Sequence, residues 1–493
     1  MKRTIKQVAV LGSGIMGSGI AAHLAGIGLK VLLLDISPKE LTAEEEAKGL
    51  SLNDLSVKKR IVNDSLKKSL SSKPAPIYHS KFAHRIQTGT FDDDLKKIAE
   101  VDWIIEVVVE RLDIKKQVFD SVEKYRKPGT LISSNTSGIP IHLMAEGRSE
   151  DFQKHFLGTH FFNPARYLRL LELIPGPITL PEVTSFFESF GRTILGKSVV
   201  VAKDTPAFIG NRIGIFSIQS LFHRVNDLGM TVEEVDKLTG PVIGRPKSAT
   251  FRTVDVVGLD TLVHVANGLN EHCTSDERHS LFSLPDFIER MMENKQLGSK
   301  TGSGFYKKIK NEDGSSEILT LDLVTGSYRK AQKAKFDTLE KTKSIGHVVD
   351  RFTVLIEGTD KAGAFYRAVF ADLFSYVAHR MGEITDAVYK IDDAMKAGFG
   401  WQHGPFEIWD AIGLEKGISL VNQQGLTLPS WITEMNNQAE ARFYKITEGK
   451  TQYYDFTAGD YKPIPGREGF ILLDNLRTQN TVYQNKDFSL VDI

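Results

Sequence analysis

The residues best suited to chemistry are a histidine and a glutamate in two neighbouring apolar segments. His160 lies in the sequence THFFNP at residues 159–164, an apolar strand that ends in a turn, and Glu172 lies in the returning strand LLEL. If the two strands are adjacent and antiparallel, the carboxylate meets the imidazole in an apolar setting. It would then orient the ring and stabilise the imidazolium that forms when a hydroxyl group loses its proton. The pair is therefore predicted to act as a general base, whereas His160 alone would more often be a core residue.

A second group of residues predicts a dinucleotide site near the start of the chain. The apolar segment at residues 8–11 leads into Gly12, Gly14 and Gly17, which have the spacing G-x-G-x-x-G. Gly12 permits a tight turn, Gly14 lets the backbone approach a pyrophosphate, and Gly17 lets a helix pack on the strand. Strand, glycines and helix in this order distinguish the segment from a flexible loop.

The residues that follow the glycines identify the dinucleotide. Ile15 and Met16 lie between the second and third glycines and are expected to contact the cofactor, and the helix that follows offers N-terminal N–H groups to the phosphates. Asp35 ends the next apolar strand, 18 residues after Gly17. A carboxylate at this place can accept hydrogen bonds from ribose hydroxyls and would repel a 2′-phosphate. The sequence therefore predicts NAD rather than NADP.

Two other motifs supply polar side chains. Residues 134–138 read SNTSG and follow an apolar strand, and ligands of doubly wound sheets collect at the carboxyl ends of strands. The same residues could instead cap a helix. Asn211, in the segment FIGNR at residues 208–212, could donate a hydrogen bond to a carbonyl group, although capping or a core role is equally natural.

These residues require a particular arrangement of strands and helices. Strand and helix patterns alternate over the first 200 residues, which predicts a parallel, doubly wound sheet. Strands are predicted at residues 8–11, 30–35, 101–110, 130–135, 156–162, 168–174 and 197–201, and helices at 20–28 and 115–124. The polar stretch at residues 40–70 predicts one or two exposed helices that interrupt the sheet.

Helical spacing dominates the rest of the chain, where two segments are related. Residues 245–260 and 400–415 share Phe, Asp and Gly-Leu positions at a constant offset of 155, which argues for an internal duplication. The predicted fold is α/β plus all-α: an N-terminal Rossmann-like doubly wound parallel sheet followed by two duplicated helical domains. The predicted limits are 1–200 for the NAD-binding domain, 201–310 for the first helical domain, 311–355 for a linker or insertion, 356–455 for the second, degenerate helical copy and 456–493 for a tail that could begin a further domain.

Composition excludes several classes of protein. Lys plus Arg and Asp plus Glu each total 62, so no overall positive charge would recruit nucleic acid, and a small-molecule partner is expected. The single cysteine, Cys273, excludes an internal disulfide and a cysteine-only metal site, and no metal is expected. The first residues lead into a strand without a secretion signal, and no apolar run approaches the ~20 residues of a membrane span. A cytoplasmic location is therefore predicted.

The order of these motifs resembles that of the NAD-dependent L-3-hydroxyacyl-CoA dehydrogenases of fatty-acid β-oxidation. The resemblance rests on the glycine loop with its acidic residue, the segments at 105–110, 134–137, 160–164 and 204–212, and the sequence KTGSGFY at 300–306. It covers residues 5–310 strongly and 360–420 more weakly. The resemblance implies that His160 is the general base and Glu172 its partner. It also implies that Ser137 and Asn211 hold the reacting hydroxyl and the thioester carbonyl.

The resemblance further implies contacts to the cofactor and to coenzyme A. Contacts to NAD are implied for Glu110, Lys115, Ser137 and Lys300. Ser51 and Lys58 are implied as contacts to coenzyme A, although a solvated helix face explains them equally well. Asn163, in the histidine motif, is implied as a substrate contact. The implied reaction removes the proton of the C3 hydroxyl while hydride passes from C3 to NAD.

A second helical copy has a particular meaning in this family. Single-copy members pair their helical domains between subunits, whereas large multifunctional β-oxidation proteins carry a duplicate that fills this role within one chain. Residues 364–367 read AFYR, so the copy lacks the Asn-Arg pair of residues 211–212 and is expected to be structural. Residues 485–493 resemble the start of a further strand, which predicts a longer protein, fused to or in complex with enoyl-CoA hydratase and thiolase. The duplicate could replace a dimer contact without excluding an oligomer.

Two alternatives stay open at the level of sequence. A related NAD-dependent hydroxy-acid or sugar-acid dehydrogenase would share the glycine loop and the histidine motif without using CoA. A non-catalytic NAD-binding protein would share the fold. The joint presence of His160, Glu172, Ser137 and Asn211 argues against the second alternative, because a decayed site should lose at least one of them.

Overall fold

The chain divides into two units. The computed structural model describes residues 3–467, 471–485 and 488–493. Unit 1 comprises Met1–Ile209 and Ala397–Phe399, and unit 2 comprises Gly210–Lys396 and Gly400–Ile493. The division falls near the border predicted at residue 200, and the five predicted domain limits stay predictions.

Unit 1 is built on an eight-stranded sheet. Its strands are β1 (Gln7–Leu11), β2 (Lys30–Asp35), β3 (Ile86–Thr90), β4 (Trp103–Glu106), β5 (Leu131–Ser134), β6 (Phe156–Phe161), β7 (Leu170–Pro175) and β8 (Ser198–Val201). They lie in the order β3-β2-β1-β4-β5-β6-β7-β8, and all neighbours are parallel except β6 and β7. The predicted Rossmann-like sheet is confirmed. The order reverses between β1 and β4, the place where such sheets bind dinucleotides.

The helices of unit 1 connect these strands. They are α1 (Ile15–Gly26), α2 (Ala43–Ala47), α3 (Leu55–Lys58), α4 (Arg60–Leu70), α5 (Phe91–Asp94), α6 (Leu112–Tyr125), α7 (Ile141–Ala145), α8 (Glu150–Lys154) and α9 (Pro181–Thr193), with 3₁₀ turns at Ser80–Arg85 and Leu95–Glu100. All residues of β4 and β5 are buried, as expected for strands that are covered on both faces. Polar residues 40–70 form three short helices where one or two were predicted.

The observed strands of unit 1 differ from the predicted ones in two places. β3 was not predicted, because its sequence IQTGT has no apolar run. The strand predicted at residues 101–110 ends at Glu106, and Glu110 lies in the loop before α6. Val109 in that loop is 63% exposed, so the apolar run continued past the buried strand into a surface loop.

Unit 2 is mainly helical, as predicted for this part of the chain. Its helices are α10 (Gly210–Asp227), α11 (Val232–Leu238), α12 (Phe251–Val257), α13 (Leu259–His272), α14 (Asp286–Glu293), α15 (Asp337–Thr342), α16 (Arg351–Ile356), α17 (Lys361–Arg380), α18 (Val388–Phe399), α19 (Pro405–Ile412), α20 (Leu414–Gln423), α21 (Ser430–Asn436) and α22 (Leu473–Asn480). Short 3₁₀ turns lie at Pro241–Ile243, His279–Phe282 and Ser299–Thr301. Across the described ranges, every helix is too short or too polar to cross a bilayer.

Small antiparallel sheets interrupt these helices. The first has strands β9 (Tyr306–Lys310), β10 (Ser316–Leu321) and β11 (Tyr328–Lys330), the second has β12 (Tyr444–Thr447), β13 (Lys450–Asp455) and β14 (Asp460–Pro463), and the third pairs β15 (Thr481–Gln484) with β16 (Ser489–Val491). The stretch predicted as a linker or insertion therefore holds β10 and β11 as well as α15 and most of α16, which are short elements in a mainly polar sequence. In the predicted tail strand, Lys486 and Asp487 lie outside the described residues.

The two helical copies share a hydrogen-bond pattern. Asp236 accepts a hydrogen bond from the hydroxyl of Tyr306 (2.8 Å), and Asp392 accepts one from Tyr444 (2.6 Å). Each aspartate also accepts hydrogen bonds from backbone N–H groups at the start of the following helix, α12 or α19. The duplication therefore extends from sequence positions to side-chain contacts.

Candidate active site

His160 and Glu172 are paired across two antiparallel strands. β6 and β7 place the two residues directly opposite each other, and His160 Nδ1 lies 2.7 Å from Glu172 Oε2. His160 is 4% exposed and Glu172 is fully buried. Because a carboxylate only accepts, we assign the ring proton to Nδ1, which leaves Nε2 as the proton acceptor. The arrangement predicted from the two apolar segments is thus present.

Glu172 also holds the backbone that ends unit 1. Its Oε1 accepts a hydrogen bond from the N–H of Ile209 (3.0 Å). The two preceding residues, Ala207 and Phe208, are buried and have φ values of 59° and 55°. Such left-handed backbone is strained for residues other than glycine, and it persists where the surroundings impose it. One carboxylate therefore orients the imidazole and, through Ile209, holds the strained backbone at Ala207 and Phe208. The sequence did not reveal the second role.

The surroundings of the imidazole are largely aromatic. The ring centroids of Phe162 and Phe208 lie 4.5 and 5.7 Å from that of His160. Asn135 Oδ1 accepts a hydrogen bond from the N–H of Phe161 (2.9 Å) and so ties the loop after β5 to the end of β6. The alternative in which residues 134–138 cap a helix is therefore wrong for Asn135.

The three glycines meet the demands predicted from their spacing. Gly12 has φ +109°, and a Cβ there would lie 2.6 Å from the carbonyl oxygen of Val107. A Cβ on Gly17 would lie 1.9 Å from the carbonyl oxygen of Gly12. Gly14 has no atom within 4 Å of its Cβ position and precedes α1, which has no side-chain cap. The loop is therefore closely packed toward the sheet and open at Gly14, Ile15 and the helix N-terminus.

Alanine at Gly17 and at Gly14 should have different consequences. Gly17→Ala forces the loop backbone apart and should destabilise unit 1 by about 1–3 kcal/mol, with weaker NAD binding. Gly14→Ala should leave the unfolding temperature unchanged and weaken only NAD binding, because its methyl group occupies open space. Calorimetric unfolding and NAD titration of both variants test this. Equal unfolding temperatures for the two would contradict the packing argument.

Asp35 lies beside the glycine loop. Its Oδ2 accepts hydrogen bonds from the N–H and the hydroxyl of Ser13, at 2.6 and 2.5 Å. The carboxylate is partly exposed at the end of β2, and the next residue, Ile36, is 54% exposed. The open space at the Cβ position of Gly14 and the uncapped N-terminus of α1 fit the pyrophosphate of NAD. The accessible carboxylate of Asp35 fits the ribose.

A buried ion cluster lies between β4 and α6. Lys115 Nζ lies 2.9 and 3.0 Å from the carboxylate oxygens of Glu106 and 3.1 Å from Glu110 Oε2. Lys115 is 1% exposed and Glu106 is fully buried. Burial raises the pKa of Glu106, although the Lys115 ammonium and a hydrogen bond from Ser134 oppose this. Contacts of Lys115 and Glu110 with NAD stay a prediction, since both residues serve this cluster.

Glu110 organises the loop that carries Ser137. Its Oε1 accepts hydrogen bonds from the Thr136 hydroxyl (2.5 Å) and from the Ser137 N–H (2.8 Å). Burial would raise the pKa of Glu110, but the Lys115 charge and these hydrogen bonds outweigh it and hold the pKa below its usual value. Ser137 is half-buried at this loop. The ion cluster therefore positions a residue for which the resemblance implies a role in hydroxyl binding.

Sequence reasoning missed Glu106 as a member of this site. It is a carboxylate inside the apolar strand WIIE, and its hydrogen bonds from Ser134 Oγ (2.5 Å) and Lys115 connect β4, β5 and α6. The signal that singled out Glu172, an acid in an apolar strand, was also present at Glu106.

The two residues implied in coenzyme A binding each have an acidic partner in unit 1. Ser51 donates hydrogen bonds to Asp54 through its N–H (2.6 Å) and hydroxyl (2.9 Å). Lys58 Nζ lies 3.0 Å from the carboxylate of Asp93. These partners account for both residues without a ligand, and the CoA contacts stay a prediction.

The other residues implied by the resemblance are at least partly accessible. Asn163 is exposed in the turn after β6, and Asn211 is half-buried in the first turn of α10. Lys300 is paired with Asp260 in unit 2, with its side chain 47% exposed. Among the described residues, no group of three or more His, Cys, Asp or Glu side chains could hold a metal ion.

The chain matches two protein-family descriptions. Residues 7–205 match "3-hydroxyacyl-CoA dehydrogenase, NAD binding domain". Residues 208–308 and, separately, 364–447 match "3-hydroxyacyl-CoA dehydrogenase, C-terminal domain". The same C-terminal family thus matches both helical segments.

Individual proteins are similar over much of the chain. A "Probable 3-hydroxyacyl-CoA dehydrogenase" of Bacillus subtilis is 47% identical over 494 aligned residues, which cover all of this chain and 62% of that protein. A "Putative fatty acid oxidation complex trifunctional enzyme" of Rickettsia felis is 31% identical over 83% of this chain and 53% of its own length. This chain thus spans less than two thirds of either relative.

A solved structure shares the fold. The crystal structure of 3-hydroxybutyryl-CoA dehydrogenase from Escherichia coli covers 88% of this chain and 98% of its own, with a TM-score of 0.59 and 20% identity. At this identity the likeness concerns the fold alone. The family matches, which together span most of the chain, show that it belongs to the 3-hydroxyacyl-CoA dehydrogenase family.

Proposed function

We propose that this chain oxidises the C3 hydroxyl of an L-3-hydroxyacyl-CoA to a ketone, with NAD as the oxidant and His160 as the general base. The observation that carries the proposal is the buried His160–Glu172 pair, with Nδ1 and Oε2 2.7 Å apart. Family membership supports both the substrate class and the cofactor.

The chemistry assigned to the chain is the removal of one proton. His160 Nε2 accepts the proton of the C3 hydroxyl, and the Glu172 carboxylate stabilises the resulting imidazolium. The aromatic surroundings limit access of water and so strengthen this ion pair. When bound, NAD supplies the hydride acceptor. We propose that Ser137 holds the hydroxyl and that Asn211 holds the thioester carbonyl.

The proposed NAD contacts come from the glycine loop and from the residues implied by the resemblance. Gly12, Gly14, Ile15, Met16, Gly17, Asp35, Glu110, Lys115, Ser137 and Lys300 form this set. The fit of the glycine loop and Asp35 supports the first six. Ser51, Lys58 and Asn163 are proposed contacts to the substrate.

A substrate comparison tests the proposed function. The full chain with NAD should reduce it to NADH in the presence of 3-hydroxybutyryl-CoA, and much more slowly with free 3-hydroxybutyrate or gulonate. Absorbance of NADH measures each rate. Turnover of the free acids alone would favour a hydroxy-acid or sugar-acid dehydrogenase. NAD binding without any turnover would favour a non-catalytic protein.

We also propose a cytoplasmic location and an association with enoyl-CoA hydratase and thiolase. The single cysteine supports a reducing compartment, and so the cytoplasmic location.

The association is supported by large apolar side chains that are exposed near the end of the chain, at Ile471, Leu472, Leu473, Val482, Tyr483, Phe488, Leu490 and Ile493. Exposed apolar side chains in such number are typical of a surface that another domain covers. A native protein of 54.9 kDa that purifies without hydratase activity would contradict the association.

A further inference from the structure

The residue that follows Asn211 is held by a buried charge network in unit 2. Arg212 lies in the first turn of α10 and is 1% exposed. Its Nη2 donates hydrogen bonds to both carboxylate oxygens of Asp276, at 2.8 and 3.0 Å. Arg212 and Asp276 both belong to the first helical copy. A buried guanidinium with several charged partners has little freedom to move. The backbone that carries Asn211 is therefore anchored through its neighbour.

Part of this network comes from the second helical copy. Arg212 Nε donates a hydrogen bond to the hydroxyl of Tyr376 (2.6 Å), and Nη2 donates to Glu383 Oε1 (2.8 Å). The Tyr376 hydroxyl in turn donates to Asp276 Oδ2 (2.7 Å), and its ring stacks on that of Phe216 at 3.6 Å between centroids. Tyr376 thus contacts the Arg212 guanidinium and the Asp276 carboxylate through its hydroxyl, and α10 through its ring.

The corresponding residues of the second copy are used differently. At the offset of 155, Tyr366 stands where the first copy has Asn211, and Arg367 stands where it has Arg212. The buried hydroxyl of Tyr366 donates to the carbonyl of Leu238 (2.7 Å), in the first copy. Arg367 donates to the carbonyls of residues 356 and 358, within its own copy. The second copy therefore has no amide in the place of Asn211 and instead packs on the first.

We propose that Tyr376 and Glu383 are positioning residues for Asn211, so that the degenerate copy contributes to catalysis although it contains no site of its own. The inference rests on the proposed function, in which Asn211 holds the thioester carbonyl. The contacts at Arg212 fix the first turn of α10, and the Asn211 amide keeps the orientation that the carbonyl requires. Small displacements of such a group are costly, since catalysis depends on sub-ångström placement.

Two tyrosine variants on α17 provide a matched test. Tyr376→Phe removes one hydroxyl from the network at Arg212, and Tyr366→Phe removes one equally buried hydroxyl from the contact with Leu238. Tyr376→Phe loses two hydrogen bonds, both with charged groups, and Tyr366→Phe loses one with a carbonyl group, so Tyr376→Phe should lose more stability. Both variants are therefore assayed at a temperature at which calorimetry shows them fully folded. Tyr376→Phe should lower kcat with 3-hydroxybutyryl-CoA by about tenfold and leave the Kd for NAD unchanged. Tyr366→Phe should retain the kcat of the unmodified chain.

A double-mutant cycle separates positioning from a general structural role. Asn211→Ala should itself lower kcat by about 10²-fold. If Tyr376 acts through Asn211, then adding Tyr376→Phe to Asn211→Ala should lower kcat no further. An additive loss would overturn the inference. Glu383→Gln, at a partly exposed side chain, gives a second variant that should fold and should show a smaller loss with the same non-additivity.

The outcomes distinguish this inference from the proposed function. No turnover of the thioester by the unmodified chain would refute the function itself. Turnover that is insensitive to Asn211→Ala would leave the dehydrogenase in place and refute the role of Asn211, and the inference with it. A loss with Asn211→Ala but none with Tyr376→Phe or Glu383→Gln would refute the inference alone.

Discussion

Replacing His160 with glutamine should lower kcat by about 10²- to 10⁴-fold, the usual cost of losing a general base. Glutamine fills a similar volume and can still donate a hydrogen bond to Glu172, but it does not accept a proton at neutral pH. NAD binding should be nearly unchanged, because the glycine loop and Asp35 are untouched. Steady-state oxidation of 3-hydroxybutyryl-CoA and calorimetric titration with NAD measure the two effects.

A second histidine provides the control. His142 Nδ1 also lies 2.7 Å from a carboxylate, that of Asp204, but the His142 side chain is 49% exposed. His142→Gln removes a histidine–carboxylate pair of the same length from unit 1 without touching β6 or β7. It should keep kcat within about threefold of the unmodified chain, as expected for an interaction at a solvated site. Similar activities for the two variants would remove His160 from the mechanism.

Lys115→Met should strongly destabilise unit 1. It leaves the fully buried Glu106 and the partly exposed Glu110 without their shared cation. Breaking a buried ion pair on one side costs about 3–5 kcal/mol, which lowers the unfolding temperature of a unit of this size by about 6–20 °C. Calorimetric unfolding of the full chain measures the change in the free energy of unfolding.

The adjacent lysine and a paired substitution serve as controls for that result. Lys116 is paired with Glu146, whose side chain is 69% exposed, so Lys116→Met should cost less than about 1 kcal/mol. Adding Glu106→Gln to Lys115→Met should restore part of the stability, because it removes the unpaired buried charge. If both lysine variants unfold at the same temperature, the buried cluster of Lys115, Glu106 and Glu110 does not stabilise unit 1 as its burial indicates.

The sequence predicted the central pair of the site because the turn between two apolar strands is short. A turn at residues 163–166 favours neighbouring antiparallel strands, and an acid in the second strand can then face the first. The structure confirms this pairing. The glycine loop was predictable for a similar reason, because its spacing leaves few alternatives to a strand, turn and helix. The alternation of strands and helices was sufficient to predict a parallel sheet. β3 could not be predicted in this way, because it has no apolar run.

The contacts that fix the ends of elements were harder to predict. The resemblance named Glu110 and Lys115 but could not show that both belong to a buried cluster with Glu106, since burial depends on how β4, β5 and α6 pack. The bond from Glu172 to the backbone of Ile209 joins residues 37 positions apart. Its donor is a backbone N–H group, which every residue except proline has. No side-chain pattern can therefore reveal such a contact.

The matching Asp–Tyr hydrogen bonds of the two helical copies bear on how this chain tolerates mutation. Asp392–Tyr444 repeats Asp236–Tyr306 in a copy that has Tyr366 where the first has Asn211. A gene duplication explains this difference: one copy retained Asn211, which we propose to bind the thioester carbonyl, and the other retained the internal scaffold. Natural variants should consequently be distributed unequally over the second helical copy. Substitutions should be frequent on its surface, but rare at its internal hydrogen bonds and at the side chains that contact the first copy.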